Sequence, residues 1–121
     1  MQLKRVVVTG LGALTPIGNN IEQYWEGLKE GKSGSAPITY FNTEKFKTKF
    51  ACELKNFAPQ DYFDRKEARK LDRFAQYALI SSDEAILDSG LDLEKIDKFR
   101  VGVIWGAGIG GLETFQNEVL N

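Results

Sequence analysis

Four cations recur at helical spacing in the middle of the chain: Lys66, Arg69, Lys70 and Arg73. Their positions are i, i+3, i+4 and i+7, so a helix that spans them would place all four on one side. Arginine binds carboxylates and phosphates through a planar fork, and lysine adds a mobile point charge. The pattern fits an acidic protein surface or a phosphate-bearing carrier, and it also fits an ordinary solvated helix face.

A glycine-rich turn lies near the end of the sequence, at residues 106–111, after an apolar run and before a predicted helix. Its letters match the dinucleotide fingerprint G-x-G-x-x-G, which also requires an acidic residue about 20 positions further on. The 121 residues stop before such an acid could appear. A nicotinamide-dependent oxidoreductase is therefore an alternative that lacks its confirming residue.

Ile109 is the one large apolar side chain inside this turn. It could cap the core above the preceding strand. It could equally line a pocket for an apolar substrate, because the flanking glycines let a ligand approach the backbone closely. Pattern alone leaves both interpretations open.

The composition excludes several kinds of catalysis within this chain. It contains no histidine, which rules out histidine acid–base catalysis, Ser-His and Cys-His pairs, and most zinc sites here. The single cysteine, Cys52, alternates with Phe50 and Leu54 on one face of a predicted strand. We therefore predict that Cys52 is a small buried hydrophobe and has no catalytic role.

Hydrophobic patterning predicts alternating strands and helices. Apolar runs at residues 4–9 and 101–104 predict two buried strands, and residues 50–54 predict a third. Helices are predicted from Ile21, capped by Asn19 or Asn20, across residues 71–89 with a stop at Gly90, and over 112–121. This order is typical of an α/β fold, and 121 residues suffice for one domain with a substantial core.

Charge and hydropathy limit the possible surroundings of the protein. A formal net charge of −1 gives no general attraction to nucleic acid or membrane. No apolar run approaches the roughly 18 residues of a membrane span, and the basic N-terminus lacks a signal core. With only one cysteine, the sequence predicts a cytoplasmic protein. Few central strands and a last helix without a stop signal suggest the beginning of a longer protein.

Four ordered segments carry a resemblance to a known family. They are residues 5–18, 41–51, 65–77 and 106–111, and together they extend over essentially the whole chain. In sequence and spacing they resemble the β-ketoacyl-[acyl-carrier-protein] synthases, in particular the synthase II group. The chain would be the N-terminal part, residues 1–121, of the N-terminal domain of such an enzyme, with the remainder absent.

The resemblance implies a thiolase-like fold of αβαβα layers, normally dimeric, without a cofactor or metal. It implies decarboxylative Claisen condensation in fatty-acid elongation, in which a cysteine and two histidines act. Those three residues belong to later segments of the family, so we expect no catalytic residue in this chain. Alone, the chain is expected to be inactive.

Two sets of residues carry over from the family. Lys66, Arg69 and Lys70 match basic positions that dock the acidic helix of acyl carrier protein. Ile109 matches a position that lines the acyl-chain pocket near the dimer interface. A non-catalytic module that binds an acidic protein is the alternative from another functional class.

Overall fold

The computed structural model describes residues 3–120 and divides them into two compact units. One unit holds residues 13–58, and the other combines the segment up to Gly12 with residues 59 onward. The elements in chain order are helix α1 (Ile21–Lys29), strands β1 (Ala36–Pro37) and β2 (Phe50–Ala51), and helices α2 (Arg65–Lys70), α3 (Arg73–Ser89) and α4 (Leu112–Leu120). Short 3₁₀ turns occupy Pro59–Asp61 and Lys98–Arg100.

The unit of residues 13–58 is built around α1 and a minimal sheet. The Asn20 side chain caps α1 by accepting the backbone N–H of Gln23 at 2.8 Å, which confirms one of the two predicted caps. β1 and β2 pair antiparallel, with Ala36 opposite Ala51. The Asn19 side chain donates to the carbonyl of Lys55 at 2.9 Å and so ties the start of α1 to the segment after β2.

Helix α3 organises the other unit. It ends at Gly90, whose left-handed backbone (φ 65) confirms the predicted stop. The N-terminal loop lies directly on this helix: a Cβ on Gly12 would collide with the backbone oxygen of Ser81, so a side chain is excluded there. The backbone N–H of Leu11 donates to the Asp88 carboxylate at 2.8 Å.

The predicted central strands at residues 4–9 and 101–104 are wrong for this structure. Neither segment has strand structure in the described chain, and Val6 and Ile104 are 91% and 97% exposed. A strand that is apolar on both faces forms only where neighbouring strands complete its hydrogen bonds and other layers cover it. Within residues 3–120 no such partner strands lie beside these two segments.

The predicted substantial core is also wrong. Ile80 is the one buried apolar side chain among residues 3–120, and Gln76 and Ser81 are buried beside it in sequence. Cys52, predicted to be buried, is exposed. β2 ends at Ala51, one residue before Cys52, and the sheet has only two strands, so no second layer of the described chain covers the side chain.

The remaining predictions about helices and membranes have clear outcomes. The last helix forms over Leu112–Leu120, and Asn121, its predicted final residue, lies outside the described part of the chain. No helix within residues 3–120 is long and apolar enough to cross a bilayer.

In the segment after α3, a hydrogen bond from the Lys95 side chain lowers the pKa of the Asp92 carboxyl.

Candidate functional site

Helix α2 presents the predicted basic residues from a short, capped element. The Asp64 carboxylate accepts the backbone N–H groups of Lys66 at 2.7 Å and Glu67 at 2.9 Å. These bonds satisfy two donors that the first turn of a helix leaves unpaired. Isolated helices shorter than about 12 residues are marginal in water, so this six-residue helix depends on such local support.

Three of the four predicted cations share the surface of α2. Lys66, Arg69 and Lys70 are all exposed, and none of them makes an ion pair with another residue of the described chain. They lie at i, i+3 and i+4 within one helix, as predicted. No direct ion pair of the described chain therefore offsets their like charges. Surface geometry of this kind suits an acidic ligand.

The fourth cation, Arg73, does not join them, and the prediction of a continuous four-residue face is wrong. Leu71 adopts an extended conformation (φ −107, ψ 126) that ends α2, and α3 begins at Arg73 after its N-cap, Asp72. The Arg73 guanidinium pairs with the Glu113 carboxylate at 3.4 Å. The positive charge of Arg73 is thus paired with a carboxylate of α4.

Gln76 holds the C-terminal end of α2 in place. Its side-chain amide donates to the carbonyl of Ala68 at 2.9 Å and to that of Leu71 at 3.0 Å. These are carbonyls at the end of a helix, which have no partner within that helix. Gln76 is only 4% exposed, so burial restricts the movement of its side-chain amide. The side-chain oxygen of Gln76 has no hydrogen-bond partner among residues 3–120.

The glycine turn carries Ile109 into an open position. The Ile109 side chain is 78% exposed. A Cβ on Gly106 or Gly108 would meet no atom of the described chain within 4 Å, whereas one on Gly110 would approach the Phe74 ring to 2.6 Å. The turn is therefore free around its first two glycines and closely packed just after Ile109.

Asp72 contacts the start of α4 directly. Gly111 has a left-handed backbone (φ 71), and a Cβ there would lie 2.9 Å from the Asp72 carboxylate. The Thr114 hydroxyl donates to the other oxygen of the same carboxylate. A dinucleotide pyrophosphate would occupy the start of this helix. The negative charge of Asp72 already lies there, which argues against that use of the turn.

Candidate metal ligands do not cluster among the described residues. No cluster of three or more potential metal ligands is present in residues 3–120, and the sequence has no histidine to act beside Cys52. Two surface cavities are lined by residues of the 13–58 unit, including Ile17, Gln23 and Lys32. Ile109 lines neither of them.

Sequence reasoning missed three supporting residues: Asp64, Asp72 and Gln76. Asp64 could have been found, since an aspartate three residues before Glu67 has the spacing of a capping box. Asp72 was hidden by the assumption that one helix runs through Leu71. Gln76 gave no signal, because nothing in a sequence shows that a glutamine reaches back to the preceding helix.

The family comparison decides what kind of protein carries these features. The model for "Beta-ketoacyl synthase, N-terminal domain" matches residues 3–121. The chain belongs to the β-ketoacyl synthase family. This ketoacyl synthase chain is 49% identical over 115 residues to 3-oxoacyl-[acyl-carrier-protein] synthase 2 of Staphylococcus aureus strain COL. It is 44% identical over 118 residues to the protein of the same name from Synechocystis sp..

These alignments cover 95% and 98% of the ketoacyl synthase chain but only 28% of each relative. The chain thus spans little more than a quarter of the length of the curated relatives it matches.

Solved structures of ketosynthases resemble the chain as well. The ishigamide ketosynthase/chain length factor matches with a TM-score of 0.66 and 37% identity, over 74% of this chain and 22% of that one. A type II PKS ketosynthase in complex with its acyl-carrier protein, AntDE:AntF, matches with a TM-score of 0.59 and 28% identity. That alignment covers 79% of this chain and 25% of the other.

Proposed function

We propose that residues 1–121 form part of the N-terminal domain of a β-ketoacyl carrier-protein synthase II that elongates fatty acids. The family match over residues 3–121 is the observation that carries the proposal. The 49% identity to a protein named 3-oxoacyl-[acyl-carrier-protein] synthase 2 supports the fatty-acid assignment. The intact enzyme would have the layered, thiolase-like fold and would act as a cytoplasmic homodimer without a cofactor or metal.

The proposed reaction joins two thioesters. An acyl group first passes from its carrier to a cysteine thiol, and the carrier thiol leaves. A malonyl-carrier thioester then loses CO₂, and the resulting carbanion attacks the acyl carbonyl. The cysteine thiolate is expelled, and the product is a 3-oxoacyl thioester on the carrier. The cysteine and the two histidines of this chemistry would lie in segments beyond this chain, which contains no histidine.

Acyl carrier protein is the partner we propose for α2. Lys66, Arg69 and Lys70 are exposed cations without an ion-pair partner in residues 3–120. An acidic helix would neutralise all three, and attraction between opposite charges speeds association. A ketosynthase of similar structure has been solved in complex with its acyl-carrier protein, which supports this assignment.

Ile109 is proposed to contact the acyl chain. An isoleucine that is 78% exposed leaves apolar area in water, and burial of such a side chain is worth about 1.5–3 kcal/mol. An acyl chain could supply that burial in the intact enzyme. The open space around Gly106 and Gly108 would let the chain pass close to the backbone.

Condensation by the complete enzyme tests the proposal. The full-length protein that contains these residues is incubated with malonyl-carrier and acyl-carrier thioesters, and the products are analysed by mass spectrometry. We expect 3-oxoacyl-carrier longer by two carbons. Absence of this product at saturating substrate would contradict the proposed function.

The second candidate is a non-catalytic module that binds an acidic protein. It is favoured by the exposed cations of α2, which have no ion-pair partner in residues 3–120. Carrier binding by the complete protein without any condensation would support this candidate over the first.

A further inference from the structure

A row of contacts joins the start of α3 to the glycine turn and the start of α4. The Phe74 ring lies against Gly110, where a Cβ would approach it to 2.6 Å. The Arg73 guanidinium pairs with a carboxylate of α4 at 3.4 Å. The Asp72 carboxylate accepts the Thr114 hydroxyl. The N-cap and the first two residues of α3 thus contact the segment from Gly110 to Thr114, which follows Ile109.

Of the three contacts in this row, the Asp72–Thr114 hydrogen bond is the one whose strength depends most on alignment. The Arg73–Glu113 pair is 45% and 68% exposed, and exposed ion pairs contribute little. The Phe74 contact is apolar and can slide. A carboxylate that accepts a hydroxyl fixes the separation and orientation of two groups, because hydrogen bonds weaken steeply when misaligned.

Asp72 is free to make this bond because it does not cap its own helix. It occupies the N-cap position of α3, yet its side chain makes no cap hydrogen bond there. An aspartate at an N-cap normally accepts a backbone N–H of the first turn. Here one oxygen of the Asp72 carboxylate accepts the Thr114 hydroxyl of α4. The other oxygen lies near the backbone of Gly111.

We propose that Asp72 and Thr114 form a clip that positions the Ile109 turn and thereby tunes which acyl chain lengths the enzyme accepts. The inference rests on the proposed function. Ile109 is followed by Gly110 and Gly111, which have no side chains of their own to hold the turn. The clip supplies that constraint from outside the turn, so both residues act as positioning residues.

Chain-length selectivity of the complete enzyme tests the clip. The measured quantity is the ratio of kcat/KM for a long and a short acyl thioester, each supplied both on carrier protein and on pantetheine. The variants Asp72→Ala and Thr114→Val remove the acceptor or the donor. We expect each to change the ratio about threefold to tenfold, the size of one net hydrogen bond, with either thioester.

The conservative variants separate positioning from general damage. Thr114→Ser keeps the hydroxyl and Asp72→Asn keeps an acceptor oxygen and the side-chain volume, so both should stay close to the wild-type ratio. Combining Asp72→Ala with Thr114→Val should change the ratio no more than either single variant, because both remove the same bond. A purely structural role would lower kcat/KM equally for all chain lengths and leave the ratio unchanged.

An unchanged ratio in folded Asp72→Ala and Thr114→Val enzymes would overturn the clip while the proposed function stood. An equal shift in Thr114→Ser and Thr114→Val would overturn it as well. Failure of the wild-type enzyme to condense either substrate would instead contradict the proposed function. The two failures are therefore distinguishable.

Discussion

Gly90 shows how one backbone position sets the end of a long helix. Its φ of 65 lies in the left-handed region, and its N–H donates to the carbonyl of Leu87 at 3.2 Å. Residues with a Cβ adopt this conformation at a cost of about 1–2 kcal/mol. A Cβ at Gly90 would meet no atom of residues 3–120 within 4 Å, so conformational strain is the only expected penalty.

Substitution of Gly90 should therefore follow backbone preference and not size. Gly90→Ala is expected to lower the free energy of unfolding of the complete protein by about 1 kcal/mol. Gly90→Asn, which is larger but tolerates the left-handed region, should cost less. Urea unfolding measures both. Equal losses in the two variants, or a larger loss for asparagine, would show that contact and not conformation decides this position.

Other single residues differ in how well the sequence predicts them. Asn20 and Gly90 are predictable because a cap depends only on the few residues beside it. Cys52 was predicted wrongly, because the alternation of apolar residues assumes a covering layer that the described chain does not supply. Asp72 is a third kind: its residue type suits a cap, but its actual partner is Thr114, 42 positions away.

At the scale of elements, α2 connects sequence, stability and proposed function. It has six residues, a capping aspartate at one end and the Gln76 amide at the other. Lys66, Arg69 and Lys70 keep their mutual spacing only while the helix is formed. A loss of either support should therefore weaken docking without removing any cation.

The N-cap of α2 provides a direct test. Asp64→Ala removes the acceptor of two backbone N–H groups, which costs about 1 kcal/mol. If carrier binding requires α2 to be helical, the loss of helix stability should lower the affinity for the carrier about twofold to fivefold. Asp64→Asn removes the same negative charge but keeps a capping oxygen, so it should bind at least as tightly as wild type. Isothermal titration of the complete protein with acyl carrier protein compares the two.

The outcome that contradicts this role for α2 is equally specific. If Asp64→Ala and Asp64→Asn bind the carrier with the same affinity, the cap does not support the docking surface. A difference in stability alone, without a difference in affinity, would lead to the same conclusion.

Helices and strands were not equally predictable. Helices at Ile21–Lys29, Arg73–Ser89 and Leu112–Leu120 form where periodicity placed them, since a helix satisfies its hydrogen bonds within its own segment. The runs at residues 4–9 and 101–104 have the composition of central strands but form none in the described chain. A strand needs hydrogen-bond partners in other strands. A β-favouring composition therefore shows that a segment can form a strand, but the strand forms only where neighbouring strands are present.

At the scale of the whole molecule, the net charge is too small to attract an acidic partner, so any such attraction must come from a local patch of charge. The formal net charge is −1, so attraction to an acidic partner must come from a patch such as the α2 cations. The triple variant Lys66→Glu, Arg69→Glu, Lys70→Glu reverses that patch. We expect about a tenfold or greater rise in the dissociation constant for acyl carrier protein, and the difference should shrink as salt screens the charges.

A charge-matched control is available in the other unit. Lys45, Lys47 and Lys49 are exposed, and their replacement by glutamate changes the net charge by the same amount. This control should bind the carrier nearly like wild type, and both triple variants should turn over pantetheine thioesters normally. Equal weakening in the two variants would attribute binding to net charge and remove the docking role from α2.

The most direct test of the central claim is the fate of the malonyl carbons. The complete enzyme is supplied with acyl-carrier and with malonyl-carrier labelled at the free carboxyl group. Decarboxylative condensation predicts one labelled CO₂ for each 3-oxoacyl-carrier formed, and a product without label. Labelled CO₂ without 3-oxoacyl product, or neither of the two, would contradict the assignment of this chain to a condensing synthase.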